Sequence, residues 1–120
     1  MTDPIRIAQG TTRTIVISGI VDSNGDPLTI TGWSVRAQVR RLPESPLLAE
    51  WVTGTPTGSQ GQATASGTEV RLAVPYTMSE AWTFRSGTLQ VEITEPGANG
   101  RRERITDVPI VVDPEIVKES

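Results

Sequence analysis

The residues with the most chemical promise are three oxygen-bearing side chains at alternate positions, Asp22, Asn24 and Asp26, within Asp22-Ser23-Asn24-Gly25-Asp26-Pro27. That spacing opens a calcium loop, in which acidic and amide oxygens wrap a hard cation. Such a loop then needs glycine at its sixth position and a bidentate glutamate at its twelfth, where this chain has Pro27 and Trp33. The cluster therefore reads as Asx side chains bracing a turn. Glu44, Glu50, Glu69, Glu80, Glu92, Glu95 and Glu103 could supply paired carboxylates for hydrolysis, but they are scattered and fall mostly on outward positions, as solvated side chains do. Arg101, Arg102 and Arg104 form a basic run interrupted by Glu103. In a chain of net charge -3 and pI near 4.9, that run is expected to be a charged sheet edge rather than an anion site.

What is missing narrows the chemistry further. The 120 residues include no cysteine and no histidine. Thiolate nucleophiles, zinc sites built on Cys or His, and a serine activated by histidine are all excluded. Gly58, Gly61 and Gly67 lie between weak strands rather than ahead of a helix, so no phosphate loop is present. No enzyme template is complete, and neither a cofactor nor a metal is expected. The acidic balance argues against a nucleic acid partner. Met1-Thr2-Asp3-Pro4 is acidic where a secretory signal is basic, and no apolar run approaches the ~20 residues of a membrane span, so no membrane partner is expected.

The elements that would position these residues follow a period of two. Trp33, Val35, Ala37 and Val39 alternate with Ser34, Arg36, Gln38 and Arg40, which gives a strand with one buried and one wet face. The same alternation recurs at Val70, Leu72 and Val74, at Leu89, Val91 and Ile93, and at Val108, Ile110 and Val112. Residues 12–20 are apolar on both faces around Ile15, Val16 and Ile17, as in a strand covered on both sides. Asn24-Gly25 and the run from Pro96 to Gly100 are hairpin signals. A shorter strand over residues 47–52 follows the break at Leu42-Pro43-Glu44-Ser45-Pro46. Residues 53–67, rich in Gly, Thr and Ser, read as a long exposed loop with a weak edge strand at 62–65. One helical turn is expected at 77–82, with Thr77 and Glu80 as its capping box, crossing between sheets.

About seven strands at this spacing predict an all-β fold, an antiparallel immunoglobulin-like two-sheet sandwich with one short helical turn, a small barrel being the competing architecture. Residues 1–10 are expected to be an N-terminal arm or edge strand, 11–112 the sandwich, and 113–120 a flexible tail. Trp33 falls in phase with the buried face of its strand and Trp82 ends the capped turn, and both are expected in the core. Trp51, on a short strand that could lie at an edge, is the candidate interface hot spot. Ile5 and Ile7, with Arg6 on the opposite side, could add a strand to a neighbour's sheet. Ile116 and Val117 in the tail complete the candidate contact set.

The block Ile30-Thr31-Gly32-Trp33-Ser34-Val35-Arg36-Ala37-Gln38-Val39-Arg40, followed by Leu48-Ala49-Glu50-Trp51, resembles a small β-sandwich family encoded among the virion genes of tailed phages and prophages. The family's strand follows an Asp-x-x-Gly-x-Pro hairpin, supplied here by Asp22, Gly25 and Pro27. Ser79-Glu80-Ala81-Trp82 leading into Leu89-Gln90-Val91-Glu92, and the closing Val112-Asp113-Pro114-Glu115, are similar too, so that the likeness covers nearly all of the chain. The resemblance implies a non-catalytic, immunoglobulin-like accessory protein of a phage particle, usually a minor tail or baseplate component. No long helical stalk or fibre repeat follows the domain, so capsid decoration is an alternative, and a host-surface or glycan-binding module using residues 53–67 is another. The implied partners are other virion proteins, contacted in multiple symmetric copies. The implied location is the virion, with assembly in the host cytoplasm.

Overall fold

A computed structural model of the chain describes residues 4–22, 24–42, 44–97 and 100–114, with the backbone alone at 106 and 107. The fold is all-β. In chain order the strands are β1 Ile5–Ala8, β2 Arg13–Ile17, β3 Ser34–Arg40, β4 Leu47–Val52, β5 Gly61–Ser66 and β6 Glu69–Val74. A single helical turn, α1 Tyr76–Glu80, precedes β7 Ser86–Thr94 and β8 Arg102–Asp113. Hydrogen bonding runs unbroken through the order β1-β8-β7-β3-β4-β5-β6-β2.

That order is mixed, whereas the sequence pattern predicts antiparallel sheets. β1 lies parallel to β8, with Ile5 beside Ile110, and β4 meets β5 in parallel at only two positions, Trp51 with Gly61 and Val52 with Gln62. The second contact is a corner: residues 53–60 carry the chain back so that β5 starts beside the end of β4 and then leaves to pair with β6. The two terminal strands of the order, β1 and β2, are consecutive in the chain. The Arg13 guanidinium reaches from one to donate to the Arg6 carbonyl on the other. The result is a nearly closed, barrel-like sheet rather than two plainly separate layers.

Alternation does what the period-two pattern demands. Val35, Ala37 and Val39 on β3 point inward together with Leu89, Val91 and Ile93 on β7, in direct register. Val70, Leu72 and Val74 on β6 face them from the opposite wall. Each large apolar side chain so enclosed contributes about 1.5–3 kcal/mol relative to exposure. β2 departs from expectation, because Ile15 is buried but Val16 is 45% exposed. It is the last strand in the order, and its Val16 side faces outward. β5 departs as well: it sits between β4 and β6 rather than at an edge, with Ala63 in the core.

α1 begins two residues earlier than the capping box requires. Pro75 is the N-cap, so Thr77 lies inside the turn and no side chain caps it. The Thr12 hydroxyl instead accepts the Tyr76 N–H. Buried Ser79 then clamps the β1–β2 connection: its Oγ donates to the Thr11 carbonyl at 2.9 Å and accepts the Gly10 N–H at 3.0 Å. Gln9 adds a side-chain bond to the Trp82 carbonyl at 2.8 Å. The first strand is thereby tied to the body of the fold at its far end.

Candidate docking face

The outward face of β4-β3-β7-β8 carries the densest polar network among the described residues. Strand register builds it. Gln38 stands opposite Glu50 on one side and Gln90 on the other, while Arg36 stands opposite Glu92, which in turn faces Arg104. Glu50 is the anchor, with its side chain only 10% exposed. Its Oε2 accepts from Arg36 Nε and from Gln38 Nε2, each at 2.8 Å, and its Oε1 accepts from Gln60 Nε2 at 2.7 Å. Burial pushes the Glu50 carboxyl upward, but the bonds from Gln38, Gln60 and Arg36, with the Arg36 charge, outweigh it and hold the pKa at about 2. Gln60 in turn accepts from the Thr57 N–H at 3.0 Å and from its hydroxyl at 3.1 Å, so the same carboxylate pins the loop over residues 57–60 to the sheet.

On the far side Glu92 takes Arg104 at 3.1 Å and Arg102 at 3.8 Å. Between the two clusters lies a shallow groove of about 280 Å³ lined by Arg36, Gln38, Gln90, Val91, Glu92 and Arg104. Arg36 is paired with Glu50, and Arg102 and Arg104 with Glu92, while Arg40 donates to the Ser45 carbonyl at 2.7 Å. Such a surface offers fixed donors and acceptors for a protein partner. A second groove, about 440 Å³, lies between the loop at 58–61 and α1, floored by Leu48, Met78 and Trp82.

The residues singled out from sequence fall elsewhere. Ile7 is fully buried in the core and Ile5 packs half-buried against it, because β1 pairs with β8 of its own chain. The segment is thus an integral strand, and its apolar side is not free to enter a neighbour. Arg6 is exposed and paired with Asp113 at 3.0 Å. Trp51, the candidate hot spot, is fully buried: its indole N–H donates to the Ala73 carbonyl at 2.8 Å, and its ring meets Trp82 edge-on at 6.2 Å. β4 is an interior strand, which removes the edge position that the interface reading required. Trp33 and Trp82 are buried. Ile116 and Val117 lie outside the described residues. Asp22 braces its turn by accepting the Asn24 and Asp26 N–H groups at 2.8 and 3.1 Å. Among the described residues no three acidic side chains converge to hold a metal, and no helix is long and apolar enough to cross a membrane.

Glu50 was grouped by sequence with the solvated glutamates. The signal against that was its place between Ala49 and Trp51, three consecutive buried positions that break the alternation. No protein-family model matches the chain, and no curated protein matches it in sequence.

Because β1 is part of the core, Ile7→Ala is expected to lower unfolding free energy by about 2–4 kcal/mol in urea titrations. A loss below about 0.5 kcal/mol, the level of a surface change, would instead make β1 a detachable arm.

Proposed function

We propose that this chain is a non-catalytic structural protein of a tailed-phage particle, most simply a minor tail or baseplate component with an immunoglobulin-like body. It works as a rigid block that docks on other virion proteins in multiple copies. The observation that carries the reading is the outward face of β4-β3-β7-β8, on which Arg36, Arg102 and Arg104 are held in place by Glu50 and Glu92. Strand order supports the immunoglobulin-like assignment. β5-β6-β2 corresponds to the D-E-B group of that fold and β3-β7-β8 to C-F-G, with β4 as an added strand beside C. The chain passes between the groups after β2, after β4 and after β6, the last time through α1. β1 differs from the seven-stranded plan by joining β8 instead of β2.

Host-surface recognition through the loop at 53–60 is the weaker reading. Trp82, the aromatic residue of the groove beside that loop, is itself buried and packs at a tilt against Phe84 at 5.1 Å, so it offers a sugar no open ring face.

The test is incorporation. Tagged chain expressed with the phage structural genes is expected to co-purify with particles, and fractionating heads from tails separates a tail component from a decoration protein. Gln90→Arg places bulk and charge in the middle of the groove without touching the bonds to Glu50, and should cut incorporation about tenfold with an unchanged thermal midpoint. Particles that never contain the chain would remove the assignment.

A further inference from the structure

The two terminal strands of the sheet are guarded very differently. β1 is four residues long, is preceded by Pro4, and carries the exposed Arg6–Asp113 pair beside its edge. Proline and charge of this kind are how natural sheets discourage edge pairing. β2 has neither in its middle. It keeps five consecutive regular pairs with β6, without a bulge, and among the described residues its other edge has no strand paired to it, β1 being reached only by the Arg13 side chain. Thr14-Ile15-Val16-Ile17 is entirely β-branched, and Val16 is among the most exposed large apolar side chains of the described residues. Its one charge, Arg13, is turned aside to the Arg6 carbonyl.

We propose that this edge is an interface with a second copy of the chain, β2 pairing antiparallel with β2 of the partner about a two-fold axis at Ile15. The register follows from the side chains. Ile15 is buried, so only registers that keep odd-numbered residues inward on both copies are allowed. Centring on Ile15 pairs all five residues of the strand. It sets Arg13 against Ile17 and Thr14 against Val16, with no like charges opposed, whereas centring on Arg13 would oppose two arginines. The patch is therefore self-complementary, as a two-fold contact requires. Pairing continues the run β5-β6-β2 of one copy directly into β2-β6-β5 of the other and covers Val16 with Thr14 of the partner. Five residues of edge bury less than a permanent dimer needs, so the contact is weak alone and is reinforced where copies are held side by side. The inference concerns the chain alone and stands whether or not the particle assignment holds.

The chain has no cysteine, so introduced thiols report cleanly. Thr14→Cys and Val16→Cys, both at exposed positions, are prepared separately and oxidised alone and mixed. The mixture should form a disulfide dimer about tenfold faster than either chain alone. The parent chain should show a concentration-dependent rise in mass by sedimentation, up to about 1 mM. Thr14→Lys with Val16→Lys opposes lysines across the axis and should abolish that rise, and mixing with Thr14→Glu/Val16→Glu should restore it. Unchanged thermal midpoints show that the variants fold. A monomer throughout that range, cross-linking of Val16→Cys with itself, a dimer indifferent to the paired lysines, or one lost on deleting residues 115–120 would each overturn the proposal.

Discussion

Trp51→Ala is expected to lower the unfolding free energy by about 3–5 kcal/mol, the largest loss of any single truncation in the chain. The reason lies in where the ring sits. β4 and β5 share only two residue pairs, so backbone hydrogen bonding alone joins the two halves of the sheet weakly. Trp51 lies over Gly61, its partner in that pairing, and its N–H reaches on to the Ala73 carbonyl of β6. One side chain therefore bridges three strands. Gly61 is what leaves room for it, since a Cβ there would stand 2.6 Å from the indole nitrogen. Gly61→Val should accordingly lose a comparable amount although it removes no apolar contact. Trp51→Phe keeps most of the ring but strands the Ala73 carbonyl, for a loss of about 1–3 kcal/mol. A domain of this size holds about 5–15 kcal/mol in total, so the alanine variant should unfold at markedly lower urea, followed by far-UV circular dichroism. A loss under about 1 kcal/mol for Trp51→Ala would mean that the corner is held by something else.

Much of this fold was readable because period two is a local property. The alternating runs from Trp33 to Val39, Val70 to Val74 and Leu89 to Ile93 fall in β3 or just ahead of it, in β6 and in β7, and the residues expected inside are inside. Partnership was not readable in the same way. Nothing near Ile5 announces that it will lie beside Ile110, because the two strands stand near opposite ends of the chain and only the folded sheet brings them together. The alternation of Ile5 and Ile7 marks which side of the segment is apolar, but not whose sheet it joins. The same gap misplaced Trp51, whose strand becomes interior only once residues 53–60 bring β5 alongside. Thr77 and Glu80 have the spacing of a cap, yet Pro75 starts the turn first and Thr12, far away in sequence, supplies the oxygen. Of the docking face, the outward positions of Arg36 and Gln38 were legible. The burial of Glu50 was not, since it depends on Gln60 arriving from a loop whose path has no sequence signature.

Glu50 also makes the stability of the protein depend on acid in a way that can be isolated. Its carboxyl stands at about 2 in the folded chain against an ordinary value of 4.5, which is the unfolded reference. A group whose pKa is depressed by folding stabilises the native state above its unfolded value, and that contribution is lost as pH falls through the folded one. The window is therefore pH 5 down to about 2, and a shift of this size corresponds to about 3 kcal/mol. Glu50→Gln keeps the shape and one acceptor but cannot ionise, and the released Arg36, already 63% exposed, returns to water at little penalty. At pH 7 the variant should thus be weaker than the parent by up to about 3 kcal/mol, and the two should converge towards pH 2. Other carboxylates titrate in the same range, but they do so in both chains, and the difference between urea midpoints at matched pH removes them. A gap that stays constant from pH 7 to 2 would show that Glu50 acts by shape alone. Convergence would establish the charge itself as what fastens the loop at 57–60 to β3 and β4, and with it the rigidity that a docking face needs.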